Sequence, residues 1–206
     1  MRIDVWSDVV CPFCYIGKRK LERALTQTGI DAQLRWHSFE LDPAAPRLIT
    51  RSLADLLAAK YRFGPERAMS FLEQQQRAAE DVGLEFNWQI ARRGNTFDAH
   101  RLIHLARSAG RADAVTERFF RAYFTEGAAI GDPDTLRRLA VEAGLAAGEV
   151  DSVLDGDAYA ADVRADERRA GELGIHAVPH FVIDERSAIS GAADVGQFVE
   201  VLRSDT

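Results

Sequence analysis

Two short segments near the start of the chain have the pattern of strands, and the segment between them has that of a helix. Residues 2–7 include Ile, Val and Trp, which favour strands, and apolar and polar side chains alternate over residues 33–39. Residues 12–28 have apolar positions at helical spacing and are followed by Gly29, a residue type that commonly ends a helix. This order predicts a β-α-β unit with parallel strands and a right-handed crossover.

The end of the chain has the pattern of a hairpin followed by a helix. Residues 181–183 and 188–190 predict two strands, and residues 184–186 between them predict a turn. Residues 194–202 predict a final helix. A β-α-β unit at one end of a chain and a β-β-α unit at the other is the element order of a thioredoxin fold.

The long middle of the chain has a helical pattern throughout. Residues 50–173 are rich in Ala, Leu, Arg and Glu, with apolar positions at helical spacing and almost no clusters of β-branched residues. Four of its helical stretches end near a glycine: Gly83, Gly110, Gly127 and Gly144. We therefore predict an α/β protein, a thioredoxin fold with a large all-helical insertion. Residues 1–49 and 174–206 would form the discontinuous thioredoxin-like domain, and residues 50–173 the insertion domain.

Composition and charge narrow the possible partners. With 206 residues, 47% of them hydrophobic, the chain can bury a sizeable core without disulfide cross-links. Its formal net charge of -6 argues against broad binding of nucleic acid. No stretch reaches the ~18 apolar residues of a membrane span, and the first residues lack the apolar region of a secretory signal, although a mature secreted chain would also lack it. We therefore expect a cytoplasmic protein with neither nucleic acid nor a membrane as partner.

Both cysteines of the chain lie in one motif, Cys11-Pro12-Phe13-Cys14, between the first predicted strand and the first predicted helix. This placement is typical of a redox dithiol, because the free N–H groups and the positive dipole end of a helix stabilise a thiolate. We expect Cys11, at the helix edge, to be the exposed nucleophile, and Cys14, one turn further in, to be the more buried resolving cysteine. Pro12 suits the first helical position, where an N–H would be unpaired in any residue.

A zinc site is the alternative chemistry for a Cys-x-x-Cys pair. Zinc would need two further ligands, and the chain has five histidines: His37, His100, His104, His176 and His180. Pro179 separates the last two of these and ends any helix there, and the pair at helical spacing, His100 and His104, lacks a third ligand. The dithiol interpretation is therefore preferred, with no metal and no bound cofactor.

Three segments give the chain a wider resemblance: SDVVCPFCYIG at residues 7–17, NTFDAHR at 95–101 and GIHAVPHFVI at 174–183. On these segments, and over essentially its whole length, the chain resembles the DsbA-like thiol-disulfide oxidoreductases, and within them the FrnE-like branch. The resemblance implies that the helical insertion covers the active-site face. It also implies that the partners are protein or peptide thiols and disulfides, with glutathione as a further candidate.

Two other functions remain as alternatives. The same superfamily contains glutathione-linked isomerases and transferases, including the hydroxychromene-carboxylate isomerases, in which a Ser occupies the first cysteine position. Retention of both cysteines argues against these activities in this chain. In the second alternative, the helical domain would be a receptor for a small molecule or a peptide, and the dithiol would be incidental.

The resemblance assigns a second catalytic element to the loop before the third predicted strand. Pro179 is expected to follow a cis peptide bond and to lie against the dithiol. The backbone of Val178 could then pair with an extended substrate peptide. His180 follows directly, and its ring is expected to contact the substrate and to contribute to thiolate stabilisation if it reaches Cys11.

Further substrate contacts are expected from the motif and from the insertion. Pro12 and Phe13 lie between the two cysteines, a place that is normally exposed, so an apolar groove would include Phe13. The stretch from Asn95 to His100 is expected to face the dithiol from the helical domain, with Asn95 or Thr96 capping the helix. A purely structural role is the alternative for His100.

Overall fold

A four-stranded mixed sheet forms the centre of the fold in the computed structural model, which describes residues 1–205. Its strands are β1 (Arg2–Ser7), β2 (Gln33–Ser38), β3 (His180–Ile183) and β4 (Ser187–Ser190), in the order β2-β1-β3-β4. β1 and β2 are parallel, and β3 is antiparallel to both β1 and β4. The predicted strands and the parallel β-α-β unit are therefore confirmed.

Nine helices complete the part of the chain that the structure describes. The first, α1 (Pro12–Thr28), connects β1 to β2 and ends at Gly29, which has the predicted left-handed conformation with φ 68°. Seven helices lie between β2 and β3: α2 (Leu53–Tyr61), α3 (Pro65–Glu80), α4 (Phe97–Ser108), α5 (Ala112–Phe124), α6 (Pro133–Glu142), α7 (Ala147–Asp155) and α8 (Ala160–Glu172). The last, α9 (Val195–Ser204), follows β4. No helix of residues 1–205 is long and apolar enough to span a membrane.

The helical insertion is confirmed as an element of the fold, with one difference in detail. The end of the region predicted to be helical, up to about residue 173, is divided into two helices: α7 ends at Asp155, where Gly156 is extended, and Tyr159, with φ 62°, is the N-cap of α8. The division into domains 1–49 with 174–206 and 50–173 agrees with this element order but stays a prediction. The final residue of the thioredoxin-like domain, Thr206, lies outside the described residues.

One face of the sheet packs on α1 and α9. Ile3 and Val5 of β1 lie opposite Ile183 and Phe181 of β3, and all four side chains are buried. The Phe181 ring meets Phe198 of α9 edge to face, with 5.0 Å between the ring centroids. Since side chains alternate along a strand, the even-numbered residues of β1 face the other side of the sheet, toward the insertion.

Gly17 allows α1 to approach the sheet closely. A Cβ atom added there would lie 3.1 Å from Phe181 Cζ and 3.1 Å from Pro179 Cγ, both of which belong to buried residues. This approach places the start of α1 directly against the loop that contains Pro179. The absence of a side chain at residue 17 thus brings together the two segments in which the sequence predicts the site.

We expect Gly17→Ala to lower the free energy of unfolding by about 1–3 kcal/mol, because crowding against two buried rings outweighs the better helix propensity of Ala. The matched control is Gly171→Ala in α8, where an added Cβ meets nothing within 4 Å. The control should be stabilised by about 0.5 kcal/mol. Denaturant unfolding of both variants measures the effect, and equal stability of the two would contradict the expected crowding.

A buried polar network joins the insertion to the opposite face of the sheet. The ring of His37 on β2 lies 2.7 Å from the Asp4 carboxylate through Nε2 and 2.7 Å from the Asp166 carboxylate through Nδ1. The other oxygen of Asp166 accepts a hydrogen bond from the Ser38 N–H at 2.9 Å and lies 3.1 Å from His104 Nε2. The network therefore connects β1 and β2 to α4 and α8.

Candidate active site

Cys11 is the N-cap residue of α1, with extended backbone angles of φ -89° and ψ 115°. Its N–H donates to the Asp8 carbonyl oxygen at 3.0 Å, and its own carbonyl accepts from the Cys14 N–H at 3.1 Å. Pro12 occupies the first position of the helix, as predicted. The turn thus holds Cys11 at the positive end of the helix and places Cys14 within the first helical turn.

The predicted exposure of Cys11 is wrong. The side chains of Cys11 and Cys14 are both buried, with relative exposures of 4% and 1%. The two side chains differ in their position relative to a cavity of about 260 Å³, which lies between the cysteine motif and the helical insertion. Cys11 lines this cavity and Cys14 does not. Reagents therefore reach Cys11 through the cavity, which is the physical basis for keeping it as the reactive cysteine.

The electrostatics of Cys14 agree with the role of resolving cysteine. Burial raises the pKa of the Cys14 thiol well above its usual value, and its hydrogen bond with Cys11 raises it further. Cys14 is therefore a thiol at neutral pH. It can act as the resolving cysteine only after Cys11 has formed a mixed disulfide with a substrate.

The loop before β3 meets the dithiol as predicted. The Val178–Pro179 peptide bond is cis, and the Val178 carbonyl oxygen lies 3.6 Å from Cys11 Sγ. Val178 also lines the cavity, and Pro179 packs against α1 at Gly17. Pairing of the Val178 backbone with a substrate peptide stays a prediction.

Pro12 and Phe13 lie where the sequence predicts substrate contacts. Both residues line the cavity beside Cys11, and Phe13 is 40% exposed despite its apolar ring. An exposed aromatic side chain beside a reactive sulfur offers an apolar surface to a substrate.

Asn95 and His100 are not part of the cavity wall. Asn95 begins α4, because its Oδ1 accepts from the Phe97 N–H at 2.9 Å while Thr96 makes no side-chain cap. His100 is buried, and its Nε2 lies 3.6 Å from Asp8 Oδ1 and has no hydrogen-bond partner in residues 1–205. His100 therefore approaches the active-site loop through Asp8, and a substrate role for either residue stays a prediction.

Two basic groups could stabilise the Cys11 thiolate by their position in the sequence: His180, after Pro179, and more weakly Lys18, about two turns along α1. The structure places both elsewhere. His180 lines a second cavity, on the Asp4 and Trp6 side of the sheet, and neither cysteine belongs to the wall of that cavity. Burial also lowers the pKa of His180, which favours the neutral ring. The buried ammonium of Lys18 is paired with three carboxylates: Glu22, Asp113 and Glu117. The expected approach of His180 to Cys11 is thus not observed, because the alternation of β3 directs its side chain to the other face.

Placing a histidine within the motif should therefore change the redox potential. We expect Phe13→His to raise the potential, since an added cation beside Cys11 stabilises the thiolate and with it the reduced form. A rise of about 30 mV corresponds to about 1.4 kcal/mol for a two-electron couple. A glutathione redox titration of wild type and Phe13→His measures it, with Phe13→Tyr as the uncharged control. An unchanged or lowered potential in Phe13→His would contradict the electrostatic explanation.

Several cavity-lining residues were not predicted as site residues from the sequence. They are Lys60, Tyr61, Trp88, Arg93, Tyr123 and His176. They come from α2, from α5, from the segment between α3 and α4 and from the loop before β3. Only His176, three residues before Pro179 in the same loop, had a local signal that could have identified it.

Comparisons with known proteins identify the family of the chain. The family model of the DSBA-like thioredoxin domain matches residues 2–203. An uncharacterized Bacillus subtilis protein, YwbO, is 31% identical over 208 residues, which cover 100% of this chain and 97% of that protein.

Solved structures show the same fold. A protein described as a probable DsbA oxidoreductase from Streptomyces coelicolor has a TM-score of 0.94 and 38% identity, covering 99% of this chain and 89% of that chain. The cytosolic disulfide reductase DsbM from Pseudomonas aeruginosa, in a structure with GSH, has a TM-score of 0.68 and 19% identity, covering 100% and 98%. The predicted fold is confirmed, and the chain belongs to the family of DSBA-like thioredoxin domains.

Proposed function

We propose that the protein is a thiol-disulfide oxidoreductase that exchanges the Cys11/Cys14 pair with the disulfides or thiols of proteins, peptides or small molecules, without a bound cofactor. The observation that carries the proposal is the position of Cys11. Its sulfur lies at the N-terminal end of α1, opens on an apolar cavity and is 3.6 Å from the Val178 carbonyl, with Cys14 protonated behind it.

The reaction needs only the two sulfurs and a substrate disulfide. The Cys11 thiolate attacks one substrate sulfur, the substrate S–S bond breaks, and the first thiol leaves with a proton. Cys14 then loses its proton and attacks Cys11, which releases the second thiol and leaves a Cys11–Cys14 disulfide. The substrate gains two electrons and the protein loses two, and the reverse sequence oxidises a substrate dithiol.

The remaining site residues have supporting roles in this proposal. Pro179 and the Val178 backbone position an extended substrate, and Pro12 and Phe13 contact its apolar part. Glutathione is proposed as a thiol partner, which the glutathione complex of a reductase with the same fold supports. Membership of the FrnE-like branch and a cytoplasmic location complete the proposal, and cell fractionation tests the location.

An assay of disulfide reduction tests the function. The reduced wild-type protein should reduce insulin and a dye-labelled glutathione disulfide well above the uncatalysed rate. A protein that binds glutathione but reduces neither disulfide would instead favour the glutathione-linked isomerase or transferase. A protein that binds apolar ligands without exchange would favour the receptor function.

A further inference from the structure

The cavity beside Cys11 has an unbalanced charge distribution. Most of its wall is apolar or aromatic, and it holds two permanent cations, Lys60 and Arg93. No Asp or Glu of the described residues lines it. Lys60 is exposed at the edge of the cavity and Arg93 is half-buried. Both cations face a wall that contains no carboxylate, so the cavity attracts a negatively charged ligand.

Arg93 is half-buried and is not neutralised by the protein. Its guanidinium has no carboxylate within ion-pair distance in residues 1–205, unlike most of the arginines on the insertion helices. A second recess that Arg93 also lines contains Asp42, but no ion pair forms between the two. A guanidinium presents donors in a planar fork that matches the two oxygens of a carboxylate.

Tyr123 provides a neighbouring donor. Its side chain is fully buried and lines the same cavity, and its hydroxyl makes no hydrogen bond in the described part of the chain. Burial raises the pKa of Tyr123 to about 12; the nearby Arg93 cation acts in the opposite direction, and the Asp8 carboxylate raises the pKa slightly further. The phenol thus stays protonated and can donate to an anion held by Arg93.

The backbone holds Arg93 in place. The Arg93 carbonyl oxygen accepts a hydrogen bond from the Ile49 N–H at 2.9 Å. Two residues further along the chain, the Asn95 N–H donates to the Pro46 carbonyl oxygen at 2.9 Å. A Cβ at the intervening Gly94 would lie 2.0 Å from the Arg47 carbonyl oxygen, so the two segments are in direct backbone contact. The position of the cation therefore does not depend on a free loop.

The geometry points to a carboxylate-binding site formed by Arg93, Tyr123 and Lys60, which selects small disulfides whose thiol half combines an apolar body with a carboxylate. This inference rests on the proposed function and names its substrate class. The apolar body lies against the aromatic wall, the carboxylate meets Arg93, and the disulfide meets Cys11. At about 260 Å³ the cavity is close to the lower end of small-molecule pockets, about 300–1,000 Å³, which suits a ligand of this size.

The reaction on such a substrate is the exchange already described. The Cys11 thiolate forms a mixed disulfide with one mercapto-carboxylate half and expels the other as a thiol. Cys14 then releases the bound half, so one substrate disulfide becomes two mercapto-carboxylates and the protein becomes the disulfide. No other reactant is needed for this single turnover.

The test compares two disulfides of the same shape. Reduced protein is mixed with the disulfide of para-mercaptobenzoate or with its neutral diamide, and each rate is divided by the rate of the same disulfide with free glutathione. We expect a normalised preference of roughly tenfold for the diacid, which equals about 1.4 kcal/mol. Arg93→Gln should remove that preference by slowing the reaction of the diacid more than that of the diamide, and Arg93→Lys, which keeps the charge without the planar fork, should keep only part of it.

Arg92→Gln is the matched control, because Arg92 is exposed, adjacent in sequence and outside the cavity wall. It should leave both rates unchanged. Equal normalised rates for diacid and diamide in the wild type would overturn the inference, and so would an Arg93→Gln variant that slows both equally. If the wild type reduces neither disulfide nor insulin, the proposed function itself fails.

Discussion

Cys11→Ser should eliminate disulfide reduction, with a loss on the order of 10³-fold or more, down to the uncatalysed rate. The reason is positional as well as chemical. Cys11 is the sulfur that lines the cavity, whereas Cys14 is shielded from it and is kept protonated by burial. Cys14 alone therefore cannot replace the missing nucleophile. Insulin reduction by wild type and Cys11→Ser measures the loss.

Cys14→Ser is the informative partner of that variant. Attack by Cys11 should still occur, but resolution should not, so a mixed disulfide between Cys11 and the substrate accumulates. Mass spectrometry identifies the adduct.

In the reduced wild type, iodoacetamide at neutral pH should label Cys11 before Cys14, because only Cys11 lines the cavity. Predominant labelling of Cys14, or an adduct that forms in Cys11→Ser, would reverse the assignment of the two roles.

The second large effect is expected for stability, at Asp166. We expect Asp166→Ala to lower the free energy of unfolding at pH 7 by about 3–5 kcal/mol, because its removal leaves buried polar partners in β2 and α4 without an acceptor. The carboxylate bonds His37 at 2.7 Å and the Ser38 N–H at 2.9 Å, and its side chain is 12% exposed. Asp162→Asn, an exposed change in the same helix, is the control and should cost less than about 0.5 kcal/mol.

The same carboxylate predicts how stability depends on pH. Burial alone would raise the pKa of Asp166, but hydrogen bonds from His104 and His37 outweigh it and hold the pKa well below its usual range. The unfolded chain then binds a proton more readily than the folded one. The stabilisation is therefore fully present above the ordinary Asp pKa of about 4 and is lost as the pH falls below it.

Unfolding of wild type and Asp166→Asn should show this directly. The difference in stability between them should be largest near neutral pH and should shrink below about pH 4. Urea unfolding followed by circular dichroism at several pH values measures the difference. A difference that stays constant from pH 7 to pH 3 would mean that the ionised carboxylate contributes nothing beyond its shape.

The local elements and the dithiol were predictable from the sequence, because they depend on short-range chemistry. The strands around α1 follow from residues that favour extended backbone, and the end of α1 follows from the left-handed preference of Gly29. The Cys-x-x-Cys spacing at a helix start places one sulfur at the positive dipole end in any fold that keeps that turn. The cis bond before Pro179 was expected only from the resemblance to a family, and the structure confirms it.

Burial and side-chain encounters between distant segments were decided by the tertiary structure. Exposure of Cys11 was predicted from its helix-edge position, but the insertion covers it, and nothing near residue 11 encodes that cover. The direction of His180 follows from the register of β3 against β1, and the pairing of His37 with Asp166 joins residues 129 positions apart. Arg93 lines the cavity because distant segments pack together there, and no pattern near residue 93 indicates it. Patterns along a chain report which face of an element is apolar, whereas only packing determines which faces meet.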